Sequence, residues 1–253
     1  MMRLLKRPKI KSASRFAALL HIVLTAVLPV LLFVLVRLRE DFVSVAIVLL
    51  ILSKWRMFAV KVRHWPANIR ANAVDIFVGL SMIAFMSSTD VQSIQLVWVA
   101  LYTAWLLFVK PLSSEVGIGI QSLIAQAVTL SAIFLVWNEA SQTWLTISVW
   151  AVTYLCARHF LTAFDEAMAR GSAYVWAFFC AALTWLSTHW LLFYEVIAQP
   201  AIIITVVGYC MASLYYLQHT ERMTKATRRQ FLSLLVVIIL FILVFSDWSG
   251  EVV

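Results

Sequence analysis

The chain has 253 residues, of which 63% are apolar and only 13% are charged. Soluble globular proteins average about 45–50% apolar and about 25% charged residues. A mean hydropathy of +0.93 requires a more apolar solvent than water, which a bilayer provides. The composition therefore excludes an ordinary soluble domain, and the small numbers of glycine and proline residues exclude collagen-like and linker-rich chains.

Nine apolar runs follow one another along the chain, separated by short polar connections. A run of roughly 20 residues crosses a bilayer as a helix, and backbone groups in hydrocarbon must be satisfied within their own segment. The sequence therefore predicts an all-α, polytopic integral membrane protein with about nine transmembrane helices in one bundle. The predicted spans are 16–36, 42–60, 69–87, 93–109, 116–137, 144–163, 173–193, 196–217 and 231–247.

Two short segments flank the predicted bundle, which covers residues 16–247. The first is a basic cytoplasmic N-terminal segment, 1–15, and the second is an extracytoplasmic tail, 248–253. A basic segment before an apolar run is also typical of a secretory signal. However, the first run is followed by Arg37 and has no small-residue cleavage site, so we expect it to remain as the first span.

Lysine and arginine residues are concentrated in the N-terminal segment and in every second connection. In the nine-span arrangement, 18 of the 20 lie on one side, and the exceptions are Arg37 and Arg39. Cytoplasmic loops retain positive charge. The pattern therefore predicts a cytoplasmic N-terminus and an extracytoplasmic C-terminus in a plasma or bacterial inner membrane. The opposite side carries the acidic residues Asp90, Glu139, Glu195, Asp247 and Glu251.

The net charge of +8 is distributed by this topology, and no nucleic-acid-binding motif accompanies it. We expect the partners to be the lipid bilayer, anionic inner-leaflet headgroups at the basic loops and a cytoplasmic protein docked on those loops. The sequence predicts no cofactor and no metal site. Its cysteines, Cys156, Cys180 and Cys210, lack the spacing of a zinc site or a disulfide framework.

An unusual concentration of ionisable residues lies between Lys54 and Asp75. These two residues are each about ten positions from the hairpin centre at His64–Trp65, so two antiparallel helices would bring them to similar depth. An unpaired charge at that depth costs about 2.5–3.5 kcal/mol on insertion scales. The sequence therefore predicts an ion pair between spans two and three, either Lys54–Asp75 or Arg56–Asp75.

A second charged group is predicted at matching depth in span six, at Arg158 and His159. Two interpretations of the whole set remain open. One is a cytoplasm-facing polar cavity that binds an anion, a phosphate headgroup or a coupling proton. The other is an interfacial girdle of snorkelling side chains with one pair that fixes helix register. The candidate polar site comprises Lys54, Arg56, Asn68, Arg70, Asn72, Asp75, Arg158 and His159.

Span five has the strongest face of small and polar residues. Such residues allow helices to approach closely and to bond across the interface, so we expect this span to be central, with its amides in packing roles. The face comprises Gly117, Gln121, Ser122 and Gln126.

The missing motifs limit the functional classes. The chain has no G-x-x-x-x-G-K-[ST] and no H-E-x-x-H, and no catalytic residues are predicted. A small transporter or permease with a polar site between spans two, three and six is favoured, because buried charge is costly to keep. The alternative is a non-catalytic membrane subunit or scaffold. An enzyme acting on a lipid-linked or phosphorylated substrate is the weakest class, since only Asp75 or His159 offers a general base.

Overall fold

The computed structural model describes residues 15–39, 41–137, 140–188, 193–194 and 197–245. Over these residues the chain is all-α apart from one short hairpin, which confirms the all-α part of the prediction. Residues 1–14 and the predicted tail, 248–253, lie outside the described residues, as do Glu139, Glu195 and Asp247. The helices are α1 (Arg15–Leu38), α2 (Phe42–Leu52), α3 (Trp65–Ser87), α4 (Gln92–Ala104), α5 (Glu115–Val136), α6 (Gln142–Ala163), α7 (Ala169–Ser187), α8 (Gln199–His219) and α9 (Lys225–Phe245).

Five helical segments of the described chain are long and apolar enough to cross a membrane. They identify a helical membrane protein, because a run of about 20 apolar residues matches the thickness of the hydrocarbon core. These segments are Val62–Ser87, Gln92–Val109, Glu115–Val136, Gln199–His219 and Lys225–Phe245.

The second predicted span is interrupted. Its helix, α2, has 11 residues and is therefore about 17 Å long, well short of a hydrocarbon core of about 30 Å. The prediction of a continuous helix to residue 60 is wrong. The chain continues as segment 53–64, which contains two 3₁₀ turns, Trp55–Met57 and Val62–His64, and both turns contact α3.

The break in span two has a local cause. The Ser53 hydroxyl donates to the carbonyl of Leu50 at 2.6 Å, and the Lys54 amide bonds Ile51 rather than the carbonyl four residues back. Short hydroxyl side chains compete for helix carbonyls in this way. Met57 then anchors the first 3₁₀ turn by burying its side chain.

The helices pack around α3, α5 and α6. α5 contacts α3, α6 and α8, while α1 covers α2 and α4. Tyr102 and Phe134 are the largest of the fully buried side chains in the described core. α9 packs on α8, and Ile242 is the one side chain of α9 classed as buried, so this helix lies at the periphery of the bundle.

Contacts between the connections define two ends of the bundle. At one end, Arg37 donates to the carbonyl of Asp90 at 2.8 Å, so the end of α1 meets the connection between α3 and α4. A two-residue hairpin, Phe193–Tyr194 with Ile197–Ala198, joins α7 to α8. We call the opposite end the basic end, and it contains the connections 53–64, 110–114, 164–168 and 220–224.

Candidate functional site

Asp75 is the centre of a buried charged cluster. It lies ten residues after Trp65 on α3, about 15 Å from the start of that helix, and is 8% exposed. Its Oδ2 atom contacts Nζ of Lys54 and also accepts from Nζ of Lys110 at 2.7 Å. Its Oδ1 atom accepts from the indole of Trp105 at 3.1 Å. Lys54, Asp75, Trp105 and Lys110 are called the Asp75 cluster below.

The break in span two positions Lys54. Lys54 follows the last turn of α2, where the partial negative charge of the helix dipole favours a cation. Its side chain is only 9% exposed, so a carboxylate partner is needed to offset the loss of water. The predicted pair between Lys54 and Asp75 is therefore present, and the interrupted helix places it.

A π-helical turn, Trp105–Val109, extends α4 and positions the other two members of the cluster. The Lys110 amide donates to the carbonyl of Trp105 at 2.8 Å, across five residues. In a regular α-helix, two residues five apart point about 140° away from each other. The π turn brings them closer in direction, and both side chains therefore reach the same carboxylate.

Gln121 on α5 ties the end of this turn to two other helices. Its amide nitrogen is 2.8 Å from the carbonyl of Val109, 2.9 Å from that of Leu112 and 3.2 Å from that of Lys110. Its amide oxygen is 3.4 Å from Nε2 of His159. Gln121 thus satisfies carbonyls that the end of the helix leaves without an intrahelical partner, and it links the backbone of Lys110 to α6.

Two predicted asparagines support segment 53–64. Asn68 donates to the carbonyl of Met57 at 3.2 Å, and Asn72 donates to the carbonyl of Asn68 at 2.8 Å. These bonds hold the non-helical segment against α3. Backbone outside regular structure is tolerated at membrane depth only where protein or a water-filled cavity covers it, so the two amides contribute to the geometry of the site.

Three predicted site residues lie apart from the cluster. Arg56 and Arg70 are exposed, and Arg158 donates to the hydroxyl of Tyr154 on its own helix at 3.2 Å. The charges that the structure brings together come from spans two and three and from Lys110, at the end of the π-helical turn after α4. Although α6 contacts α3, the hydrogen bond of Arg158 stays within α6, so its side chain is not part of the cluster.

The sequence analysis missed Trp105 and Lys110. A signal for Lys110 was present, because it is the one basic residue in the fourth connection and that connection was expected at the same end as Lys54. No comparable signal marked Trp105, since aromatic residues near either interface are usually anchors.

The polar face of α5 points toward different neighbours along its length. Gly117 lies against Leu112, where an added Cβ would come within 2.6 Å of the leucine Cβ. Further along, Gln126 accepts from the indole of Trp176 on α7 at 3.1 Å, and Ser122 is buried. The face therefore joins α5 to the end of α4 at one level and to α7 at another.

Together, the fold and the cluster define a helical membrane protein with an interrupted helix and a shared buried carboxylate. Comparison of the chain with family models, curated proteins and solved structures finds no match.

Proposed function

We propose that the protein is a small transporter or permease, and that the Asp75 cluster binds an anionic group of its solute. The proposal places the chain across a plasma or bacterial inner membrane with its basic end in the cytoplasm, in keeping with the positive charge of cytoplasmic loops. The observation that carries it is the sharing of the Asp75 carboxylate by two lysines beside a helix that stops about halfway across. Interrupted helices with charges at their broken ends are typical of transporter binding sites.

The charge balance of the cluster favours an anion. One cation is enough to neutralise Asp75, yet Lys54 and Lys110 both contact Oδ2. The cluster therefore has an excess positive charge, and holding such a charge at membrane depth is costly. The Lys110 side chain is 43% exposed, so its ammonium group retains room for a further acceptor. A solute carboxylate or phosphate would supply that acceptor and offset the charge.

A different observation supports the alternative of a non-catalytic membrane subunit or scaffold. Arg56, Arg63 and Arg70 are exposed around segment 53–64 and the start of α3, where an acidic cytoplasmic protein or anionic headgroups would meet them. The enzyme alternative has less support, because both oxygens of Asp75 already accept hydrogen bonds. That carboxylate is therefore poorly placed to act as a general base.

Electrical recording on a solid-supported membrane tests the transporter proposal. Proteoliposomes containing the full chain receive rapid jumps from gluconate to chloride, inorganic phosphate or acetate. We expect at least one of these anions to give a protein-dependent charge displacement that saturates with concentration. Replacement of Lys110 by glutamine should reduce it about tenfold, the effect of losing one charge-assisted hydrogen bond.

Lys61→Gln is the matched control, because Lys61 is an exposed lysine of the same end and lies outside the cluster. Its charge displacement should equal that of the unmodified protein. No protein-dependent signal with any of the three anions, or an equal loss in both variants, would contradict the proposal. A scaffold would in addition keep its cellular function when Lys54 and Asp75 are both replaced by apolar residues.

A further inference from the structure

A cavity of about 210 Å³ lies between α5, α6, α7 and α8, apart from the Asp75 cluster. Its walls are largely apolar and include three aromatic side chains, Phe160, Trp176 and Tyr215. Apolar surface is abundant in this protein, but a cavity lined by both apolar and polar residues is a different feature. Small-molecule sites have this composition: an apolar lining with a few placed polar groups.

Two of the lining residues each carry a buried polar atom that has no hydrogen-bond partner in the described structure. The atoms are Oγ of Ser122 and Nε2 of Gln126, and each residue is only 4% exposed. Buried polar groups in native proteins are nearly always paired with protein or with ordered water. An unpaired hydroxyl and an unpaired amide on one helix face therefore mark a place where water or a polar group of a ligand completes the hydrogen bonds.

The orientation of the Gln126 amide is fixed from two sides. The Trp176 indole donates to Oε1 at 3.1 Å, and an indole N–H can only donate, so Nε2 is the free end. Gly208 on α8 provides the space for it, since a Cβ at that position would lie 2.8 Å from Nε2 and 3.3 Å from the Trp176 ring. Two neighbouring helices thus fix this hydrogen-bond donor beside the cavity.

The cavity is partly open to the surface of the bundle, and α7 and α8 both contribute exposed residues to its lining. Its rim includes Ser172 on α7 and Met211 on α8, both exposed. Toward the basic end, Tyr215 is held by Glu166 of the α6–α7 connection, with an Oη to Oε2 distance of 2.5 Å. A molecule could therefore enter between apolar side chains, and the hydrogen-bonded Tyr215 and Glu166 close the cavity at one end.

We propose that this cavity binds a membrane-soluble molecule that carries a carbonyl oxygen on a compact apolar body. Gln126 Nε2 and Ser122 Oγ donate to the carbonyl, while Trp176 and Phe160 contact the body. An apolar cavity of about 150 Å³ accepts benzene, so the space here suits one substituted ring or a chain end of similar size. Quinone heads and glycerolipid ester ends share this chemistry. The inference goes beyond the proposed function, because it rests on α5 to α8 and not on the Asp75 cluster.

Native mass spectrometry of the full chain, released from detergent, tests the proposal. The probes are decylubiquinone and dioctanoylglycerol, which have carbonyls, and decylbenzene, which has none. We expect at least one carbonyl probe to bind with one molecule per chain and about tenfold more tightly than decylbenzene. Because a single neutral hydrogen bond is lost, replacement of Ser122 by alanine should weaken that binding about fivefold. The carbonyl probe that binds identifies the quinone or the glycerolipid as the source.

Two matched controls separate binding from folding. Ser131→Ala removes a hydroxyl of the same helix that bonds the carbonyl of Ala127 and should leave binding unchanged. Gly208→Ala should abolish binding by displacing the Gln126 amide, whereas Gly171→Ala, whose added Cβ would make only an ordinary contact with the Met168 side chain at 3.9 Å, should not. Equal affinity for decylbenzene, failure of both carbonyl probes to bind, or equal weakening by Ser131→Ala would each overturn the proposal.

Discussion

The indole nitrogen of Trp105 lies 3.1 Å from Oδ1 of Asp75, the carboxylate oxygen that the lysines leave free. The carboxylate is therefore held on both sides, by cations at Oδ2 and by a neutral donor at Oδ1. Because Trp105 is itself buried, its N–H group has no water to replace this bond. The indole thus fixes the carboxylate plane and, with it, the positions at which the two ammonium groups meet.

Replacement of Trp105 by phenylalanine should lower the free energy of unfolding by about 1–3 kcal/mol, because one hydrogen bond to a charged acceptor is lost in a buried site. Chemical unfolding in detergent micelles measures the change. Trp98→Phe is the control, since Trp98 stacks on Phe85 and phenylalanine retains an aromatic ring there. A Trp105→Phe variant as stable as the Trp98→Phe variant would contradict this role.

The Asp75 carboxylate should be the largest single electrostatic contributor to stability in the cluster. Asp75→Asn leaves two lysines without their shared partner, and breaking a buried pair in this way costs about 3–5 kcal/mol. The double variant Lys54→Met/Asp75→Asn removes one of the stranded charges and should recover part of that loss. Unfolding free energies of the two single variants and the double variant give the coupling energy of the pair.

Asp41→Asn provides the matched comparison for Asp75→Asn. Asp41 forms a pair with Arg39 at 3.2 Å, and both side chains are more than two-thirds exposed. Exposed pairs contribute little to stability because water screens them, so this variant should unfold like the unmodified protein. Equal changes in the free energy of unfolding for Asp41→Asn and Asp75→Asn would mean that the Asp75 cluster does not stabilise the fold as expected.

The sequence was sufficient for the all-α fold, and it limited the expected partner of Asp75 to Lys54 or Arg56. The equal spacing from the hairpin centre assumed two continuous antiparallel helices, whereas Lys54 reaches Asp75 from the non-helical segment after Leu52. Lys110 and Trp105 lie on a different hairpin, and their approach to Asp75 depends on how α4 packs on α3. Such contacts are determined by side-chain packing along whole helices, which hydropathy does not describe.

The hydropathy pattern also does not predict where α2 ends. Residues 42–60 are mostly apolar, so the pattern favours one continuous helix, while the structure ends the helix at Leu52 and continues in 3₁₀ turns. Apart from Ser44 near the start, Ser53 and Lys54 are the first polar residues of that stretch. A serine hydroxyl has a weak helix-ending tendency, and the tertiary contacts of segment 53–64 with α3 decide the outcome.

Gln121 should be intolerant of a nearly isosteric change. In Gln121→Glu, a carboxylate oxygen replaces the amide nitrogen that donates to the carbonyls of Val109 and Leu112. The donor is lost, and the new oxygen, which can only accept, lies against these carbonyl oxygens. We expect a loss of at least 2 kcal/mol, comparable to leaving buried carbonyls unsatisfied. Thermal unfolding in detergent measures the loss.

A control variant distinguishes the role of the Gln121 amide nitrogen from that of its amide oxygen. His159→Phe removes only the 3.4 Å contact with Oε1 and keeps a planar ring, so it should cost clearly less than Gln121→Glu. If His159→Phe proves to be the more damaging variant, the main role of Gln121 lies with α6 and not with the end of α4.

Two glycine-to-alanine substitutions should change the free energy of unfolding in opposite directions. A Cβ at Gly79 would lie 2.7 Å from the Leu50 side chain and 2.8 Å from the Tyr102 hydroxyl, and both of those residues are fully buried. Overpacking of this kind costs about 1–3 kcal/mol. A Cβ at Gly171 in α7 would make only an ordinary contact with the Met168 side chain at 3.9 Å, so alanine there should stabilise the helix by up to about 1 kcal/mol. Unfolding of the two variants under the same conditions tests this prediction. Two variants that are both stabilised or both destabilised would contradict it.

The orientation of the bundle is testable with two valine-to-cysteine variants at opposite ends. Val62 precedes α3 and is 67% exposed, and Val91 precedes α4 and is 52% exposed. Because cytoplasmic connections retain positive charge, the basic end should face the cytoplasm. A membrane-impermeant maleimide should therefore label Val91→Cys in intact cells and Val62→Cys only after permeabilisation. The unmodified protein is the control, since Cys156, Cys180 and Cys210 are buried. The reverse labelling pattern would invert the bundle and place Lys110 on the outer face, where the proposed anion site would open away from the cytoplasm.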